Sequence, residues 1–267
     1  MIGKTTEVRS ALCWNDEDRI VVRGRDLGTQ LIGGMGFVEY FYFLVTGREP
    51  DGAASAVLQA TLVALTEHGL VPSVQAARMT FAAAPDAMQG AVAAGILGCG
   101  SVIFGASEGA GRLLLSVEQH AAEGGSTLRD AATAVITDLR TRRHPIAGYG
   151  HPEHKRRDPR VDALFEVARR SGADMRYVDV AHTIEQVIPE ILGKPLRLNA
   201  SGAISAVLLG VDFPVAALKG VPMLARAAGL IAHLVEESET PIGFALAHHA
   251  VREYSYTGAL SEVGASA

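Results

Sequence analysis

Cysteine is scarce in this 267-residue chain, which holds only Cys13 and Cys99. Two cysteines cannot build a disulfide framework, and they fit a reducing compartment, so a cytoplasmic location is expected. Long runs of β-branched residues are missing too, which argues against a sheet-based fold. Neither a sequence repeat nor a low-complexity tract is present. Excess positive charge is also lacking: 24 Lys+Arg against 29 Asp+Glu leave a net charge of −5. That balance argues against nucleic acid as a partner, while a local basic patch remains able to hold one phosphorylated ligand. The opening MIGKTTEVRS has no apolar stretch of the kind that begins a secretory signal.

Apolar residues make up 48% of the chain and charged residues 20%. A sizeable core is therefore expected and disorder is not. Between Ala87 and Ser107 no residue is charged, a span long enough to cross a bilayer. Its five glycines and few large aliphatics read better as a buried helix at a close helix–helix contact, so no membrane partner is expected.

Helical periodicity dominates the rest. Ala53–Thr66 carries Ala54, Val57, Leu58, Leu62 and Leu65 on one face, and Thr127–Leu139 begins with a capping residue. Val161–Arg169, Val178–Leu192, Gly202–Leu209 and Pro222–Glu237 read as helices as well, while Trp14–Leu27 suggests a short hairpin. This periodicity reads as a mostly helical chain. The organisation expected is a large helical domain from residues 1–104 and 206–267, with a smaller lobe from 105–205.

Two stretches rich in glycine, proline and charge look like functional loops: Arg140–Arg160 and Gly193–Gly202. The first contains GYGHPEHKRRDPR, residues 148–160. Its glycines let a ligand approach the backbone, and His151 is suited to proton transfer near neutral pH. His154, Lys155, Arg156, Arg157 and Arg160 concentrate positive charge that suits carboxylates and phosphates. Asp158-Pro159 reads as a turn.

Residues 148–160 resemble the G-[FY]-G-H-x-x-x-[KR]-x-x-D-P-R signature of the citrate synthase superfamily, with Gly148, Tyr149, Gly150, His151, Lys155, Asp158, Pro159 and Arg160 in register. His68, Ser73, Ala77 and Arg78 resemble the family's H-x-x-x-x-S-x-x-x-A-R segment. Leu209–Glu237 resembles its late helix, with Arg226 and an A-H-x-x-E pattern at Ala232, His233 and Glu236. Gly33–Pro50 resembles its one-helix entry, and the chain length resembles the short citryl-CoA lyases and the C-terminal part of ATP-citrate lyase.

The resemblance implies an all-α fold with a large domain and a smaller mobile one, a homodimer, and chemistry joining or splitting an acetyl-CoA unit and a 2-oxo acid such as oxaloacetate. It implies His151 as acid/base, with His68, Arg160 and Arg226 holding a di- or tricarboxylic acid. Lys155, Arg156 and Arg157 would attract coenzyme A, which enters as a thioester substrate; neither a bound cofactor nor a metal is implied. Two family positions differ. Ile103 stands where the first histidine falls, and Ser201 where the catalytic aspartate falls, in Asn199-Ala200-Ser201. A hydroxyl cannot serve as the carboxylate base, and Asp212 and Glu108 are the nearest substitutes in sequence. Two alternatives therefore stand beside the lyase: an enzyme for another acyl-CoA, including thioester hydrolysis, or a silent homologue that binds coenzyme A and carboxylates.

Other residues carry plainer expectations. His233 is a packed or interface histidine, His248 and His249 a surface pair without metal spacing, and Phe37, Tyr40, Phe41, Tyr42 and Phe43 core material. Arg252 is a candidate to reach a partner subunit's site.

Overall fold

The computed structural model describes residues 9–100, 103–150 and 158–258. It is built from helices, with one small sheet near the start. The chain divides into two compact units, residues 1–66 with 100–225, and residues 67–99 with 226–267. The expected lobes, 1–104 with 206–267 and 105–205, are a different division of the chain.

The first unit opens with the antiparallel strands β1 (Cys13–Asn15), β2 (Ile20–Val22) and β3 (Arg25–Asp26), in the order β1-β2-β3. Cys13 lies opposite Val22, and Asp16 Oδ1 accepts from the N–H groups of Asp18 and Arg19 in the first turn. The expected hairpin is present and gains a third strand. α1 (Phe37–Thr46) follows and stops at Gly47, whose φ of 72° is the left-handed stop that glycine permits. Its Tyr42 and Phe43 are buried while Phe37 is exposed.

The main core of this unit is formed by α2 (Gly52–Thr66), α5 (Gly105–Gly124), α6 (Leu128–Thr141), α7 (Pro159–Ser171), α8 (Arg176–Leu192) and α9 (Ala200–Leu209). α9 is apolar on all sides, and every residue from Gly202 to Leu209 is buried. Starts are set by side-chain caps: Thr127 for α6, Asp158 for α7 and Asn199 for α9. Asp158-Pro159 is therefore a helix start rather than a free turn. Proline at the first helical position gives up an N–H that had no helical partner.

The second unit contains α3 (Pro72–Ala83), α4 (Met88–Leu97), the part of α10 (Gly220–Glu239) from Arg226 onward, and α11 (Gly243–Glu253). Its core joins Val74, Ala77, Phe81, Ala91, Leu230 and Leu234. At Gly95 a Cβ would lie 2.6 Å from Leu230 Cδ1 and 2.8 Å from the Ser73 carbonyl, the close approach that small residues permit. The uncharged window is not one helix, however. α4 ends at Leu97, the chain passes through Gly98 and Gly100, and α5 starts at Gly105. By length and apolar composition Val215–Glu239 is long enough to cross a membrane. It also carries His233, Glu236 and Glu237, which are paired inside the second unit, as in a packed helix.

Candidate active site

The two loops singled out by composition are joined in the first unit. Gly150 donates its N–H to the Arg197 carbonyl at 2.7 Å, and Asn199 donates to the Gly148 carbonyl at 2.9 Å. Tyr149 and Leu198 form the antiparallel bridge between them. Gly148 and Gly150 sit at φ of 89° and 83°, which L side chains rarely adopt. A Cβ at Gly148 would fall 2.9 Å from Gly202 Cα, so the glycine loop lies directly on the first turn of α9.

Asn199 completes the junction with both ends of its amide. Oδ1 accepts from Gly202 N–H at 3.2 Å, capping α9, and Nδ2 donates to the Gly150 carbonyl at 2.7 Å. The Gly150 carbonyl is thus held at the N-terminus of a buried helix. Tyr149 anchors the other side, donating its hydroxyl to the Ala181 carbonyl at 2.8 Å. Burial pushes the Tyr149 phenol well above its ordinary pKa, and the nearby Glu185 carboxylate adds to the rise, so it stays protonated. Glu185 Oε1 also accepts from Leu198 N–H at 3.0 Å. His151, Lys155, Arg156 and Arg157 lie outside the described residues.

Arg160 stands in the first turn of α7 with its guanidinium forked onto the buried Asp158. Nε meets Oδ1 at 3.0 Å and Nη2 meets Oδ2 at 2.7 Å, while Oδ1 also accepts from the Arg160 N–H. Asp158 thus caps the helix and fixes its arginine with one carboxylate. Ser201 is half-buried in the first turn of α9, beside the glycine junction. Asp212 follows the other end of that ten-residue helix, about 15 Å away along its axis. It is exposed beside Arg48. Glu108 is paired with Arg112 at 2.7 Å on its own helix. Asp212 is thus separated from Ser201 by the length of α9, while Glu108 follows Ser107, whose carbonyl accepts from Ser205 Oγ one turn beyond Ser201. Ile103 is exposed.

His68 and Arg226 belong to the second unit. Arg226 is 8% exposed, and its Nε and Nη1 have no hydrogen-bond partner among the described residues. A buried cation left in this state costs roughly 1–3 kcal/mol or more, and carboxylate oxygens are the acceptors that relieve it. His68 lies between α2 and α3, half-buried. Near it the family-like segments meet as a charged cluster. Arg78, 2% exposed, binds Glu237 and Glu236 at 2.5 Å each and donates to the Thr240 carbonyl at 3.0 Å. Burial pushes the Glu237 carboxyl up, but Arg78 and the N–H groups of Gly243 and Ile242 outweigh it and hold the pKa below its ordinary value.

His233 Nε2 approaches Glu67 Oε2 to 2.9 Å as a charge contact, poorly aligned for a hydrogen bond. It is half-buried in the cluster, as a packed histidine should be. Sequence reading matched Arg78, His233 and Glu236 to family segments without a role, and missed Glu237, Glu67 and Glu185. Arg78 and Glu237 are 159 positions apart, so no local spacing announces the pair. His248, His249 and Arg252 lie exposed on α11. No group of three metal-ligating side chains occurs among the described residues.

These observations define a helical protein with a glycine-built loop junction and a buried arginine suited to an organic acid. The family model for the citrate synthase C-terminal domain matches residues 11–243. The chain belongs to the citrate synthase family. It is 25% identical to the citrate synthase of Haloferax volcanii over 202 residues, covering 74% of this chain and 51% of that one. With the citrate synthase of Synechocystis sp. it shares 27% over 207 residues, covering 75% and 49%. The chain thus spans about half the length of the curated relatives it matches. Among solved structures it is similar to citryl-CoA lyase from Hydrogenobacter thermophilus, with TM-score 0.82, 29% identity and 96% of both chains covered. It shares its fold with ATP citrate lyase from Methanothrix soehngenii, solved with citrate and coenzyme A. The TM-score there is 0.76 at 22% identity, over 100% of this chain and 44% of that one.

Proposed function

We propose that this protein cleaves or forms the carbon–carbon bond between an acetyl-CoA unit and a 2-oxo acid such as oxaloacetate, in the manner of a citryl-CoA lyase. The buried guanidinium of Arg226 carries the reading, because Nε and Nη1 lack partners on different edges of the group and an acid with more than one carboxylate offers acceptors to both. The coextensive likeness to the Hydrogenobacter thermophilus lyase supports the lyase form.

In this reading His68, Arg160 and Arg226 hold the acid, and His151 gives or takes the proton on the oxygen of the 2-oxo acid. Lys155, Arg156 and Arg157 attract the phosphates of the coenzyme A thioester, which is substrate rather than cofactor. The segment 105–205 moves as the smaller lobe. The protein works in the cytoplasm as a homodimer: Ala228, Ile231 and Val235 form an exposed apolar stripe on α10 that a second copy covers. Arg252 of that copy completes the site.

A specific observation favours a second reading. Ser201 stands at the N-terminal end of α9 while Asp212 follows its far end, and Glu108 is held by Arg112. General acid–base help is worth about 10²–10⁴-fold, so without a carboxylate the site acts on another acyl-CoA or binds its ligands silently. Incubation of the purified protein with (3S)-citryl-CoA, assayed for acetyl-CoA and oxaloacetate, separates these readings. Product above background is expected. No product while coenzyme A still binds would remove the lyase, and silence persisting in Ser201→Asp would favour the binding homologue.

A further inference from the structure

We propose that Glu67 and His233 are positioning residues, which pin the link carrying His68 onto the face of α10 that bears Arg226. The proposal rests on the acid-binding reading above and adds to it the device that sets the site's geometry. Residues 67–71 connect α2 to α3 and have no helical ladder of their own, so their N–H groups need other partners. One carboxylate supplies two of them. Glu67 Oε1 accepts from the N–H of His68 at 2.9 Å and of Gly69 at 2.5 Å. Gly69 sits at φ 73°, so the link bends through a conformation that glycine alone adopts easily.

The other oxygen of Glu67 ties the link to the helix. Oε2 lies 2.9 Å from His233 Nε2, which pairs with it when that nitrogen carries a proton. His233 is itself held from two further elements. Its Nδ1 lies 3.5 Å from Arg78 Nη1 on α3 and 3.8 Å from Glu236 Oε2 on α10. Arg78 is fixed in turn by Glu237 and the Thr240 carbonyl. Burial raises the Glu67 carboxyl, yet His233 and the two N–H groups lower it further, in keeping with an ionised hub. His233 lies seven positions after Arg226, so they share one face of α10, about 10 Å apart along its axis. The side chain of Glu67 is 50% exposed, and ion pairs at that exposure add little to stability. Its double grip on the backbone therefore serves geometry.

The test titrates the full-length protein with oxaloacetate and separately with coenzyme A by calorimetry, alongside melting curves and amide hydrogen exchange. Glu67→Ala should weaken oxaloacetate binding about tenfold or more, leave coenzyme A affinity and melting nearly unchanged, and speed exchange at His68 and Gly69. His233→Phe should do the same, and His233→Lys, which keeps a positive charge toward Glu67, should recover part of the affinity. Wild-type protein that binds no oxaloacetate overturns the acid-binding reading, and this proposal with it. Binding abolished by Arg226→Ala but unchanged in Glu67→Ala and His233→Phe overturns the positioning role alone. Equal loss of both ligands with a lowered melting point assigns Glu67 and His233 a structural role and overturns it as well.

Discussion

The glycine junction of the first unit and the charged cluster of the second are both precise, by opposite means. Around Gly148, Gly150 and Gly202 the chain is joined backbone to backbone and braced by Asn199 and Tyr149, and the absence of side chains at the glycines is what lets it close. Around Arg78 long side chains reach across from α3 to α10, and their charges are answered by one another and by the backbone of residues 240–243. A backbone junction tolerates changes of charge and pH but no added atom. A charged cluster does not accept the loss of one partner.

The largest effect expected is on the charged side. Arg78→Leu leaves Glu237 buried without its cation, and unfolding by denaturant should register a loss of about 4 kcal/mol at neutral pH. The Glu237 pKa is lowered in the folded state, so its share of stability is present above the ordinary glutamate range and lost as pH falls through it. The gap between wild type and variant should therefore close on acidification. A gap independent of pH would show that shape, not charge, holds the cluster.

Next comes Gly148→Ala, which meets backbone at 2.9 Å and requires a φ near 89°. About 3 kcal/mol should be lost, with no dependence on pH or salt. A wild-type melting curve would sink the idea that the junction is built on absent side chains. The smallest effect has the opposite sign. Arg226→Leu removes an unsatisfied buried cation, so the ligand-free protein should gain on the order of 1 kcal/mol while oxaloacetate binding is lost. Destabilisation in the ligand-free state would mean that the guanidinium is already satisfied within the fold.

Much of the helical order was legible from the sequence. Periodicity located α2, α6, α7, α8, α9 and α10 to within a few residues, because buried positions on a helix recur at short spacing. Glycine and charge marked both loops of the junction. The uncharged window misled, since composition alone does not reveal that Gly98 and Gly100 separate two helices. Asp158 was legible as a turn residue, but its grip on Arg160 depends on how α7 begins.

Chain-local chemistry determined where helices start and stop, which loops carry charge, and which residues match the family signatures. Those properties depend on neighbours within a few positions, and the sequence holds them in full. Tertiary packing decided that Gly148 lies on Gly202, that Glu237 answers Arg78 across 159 positions, and that Asp212 falls at the wrong end of α9 to replace the base. Such contacts arise from how faces pack and which groups lose water together, and spacing along the chain does not encode either.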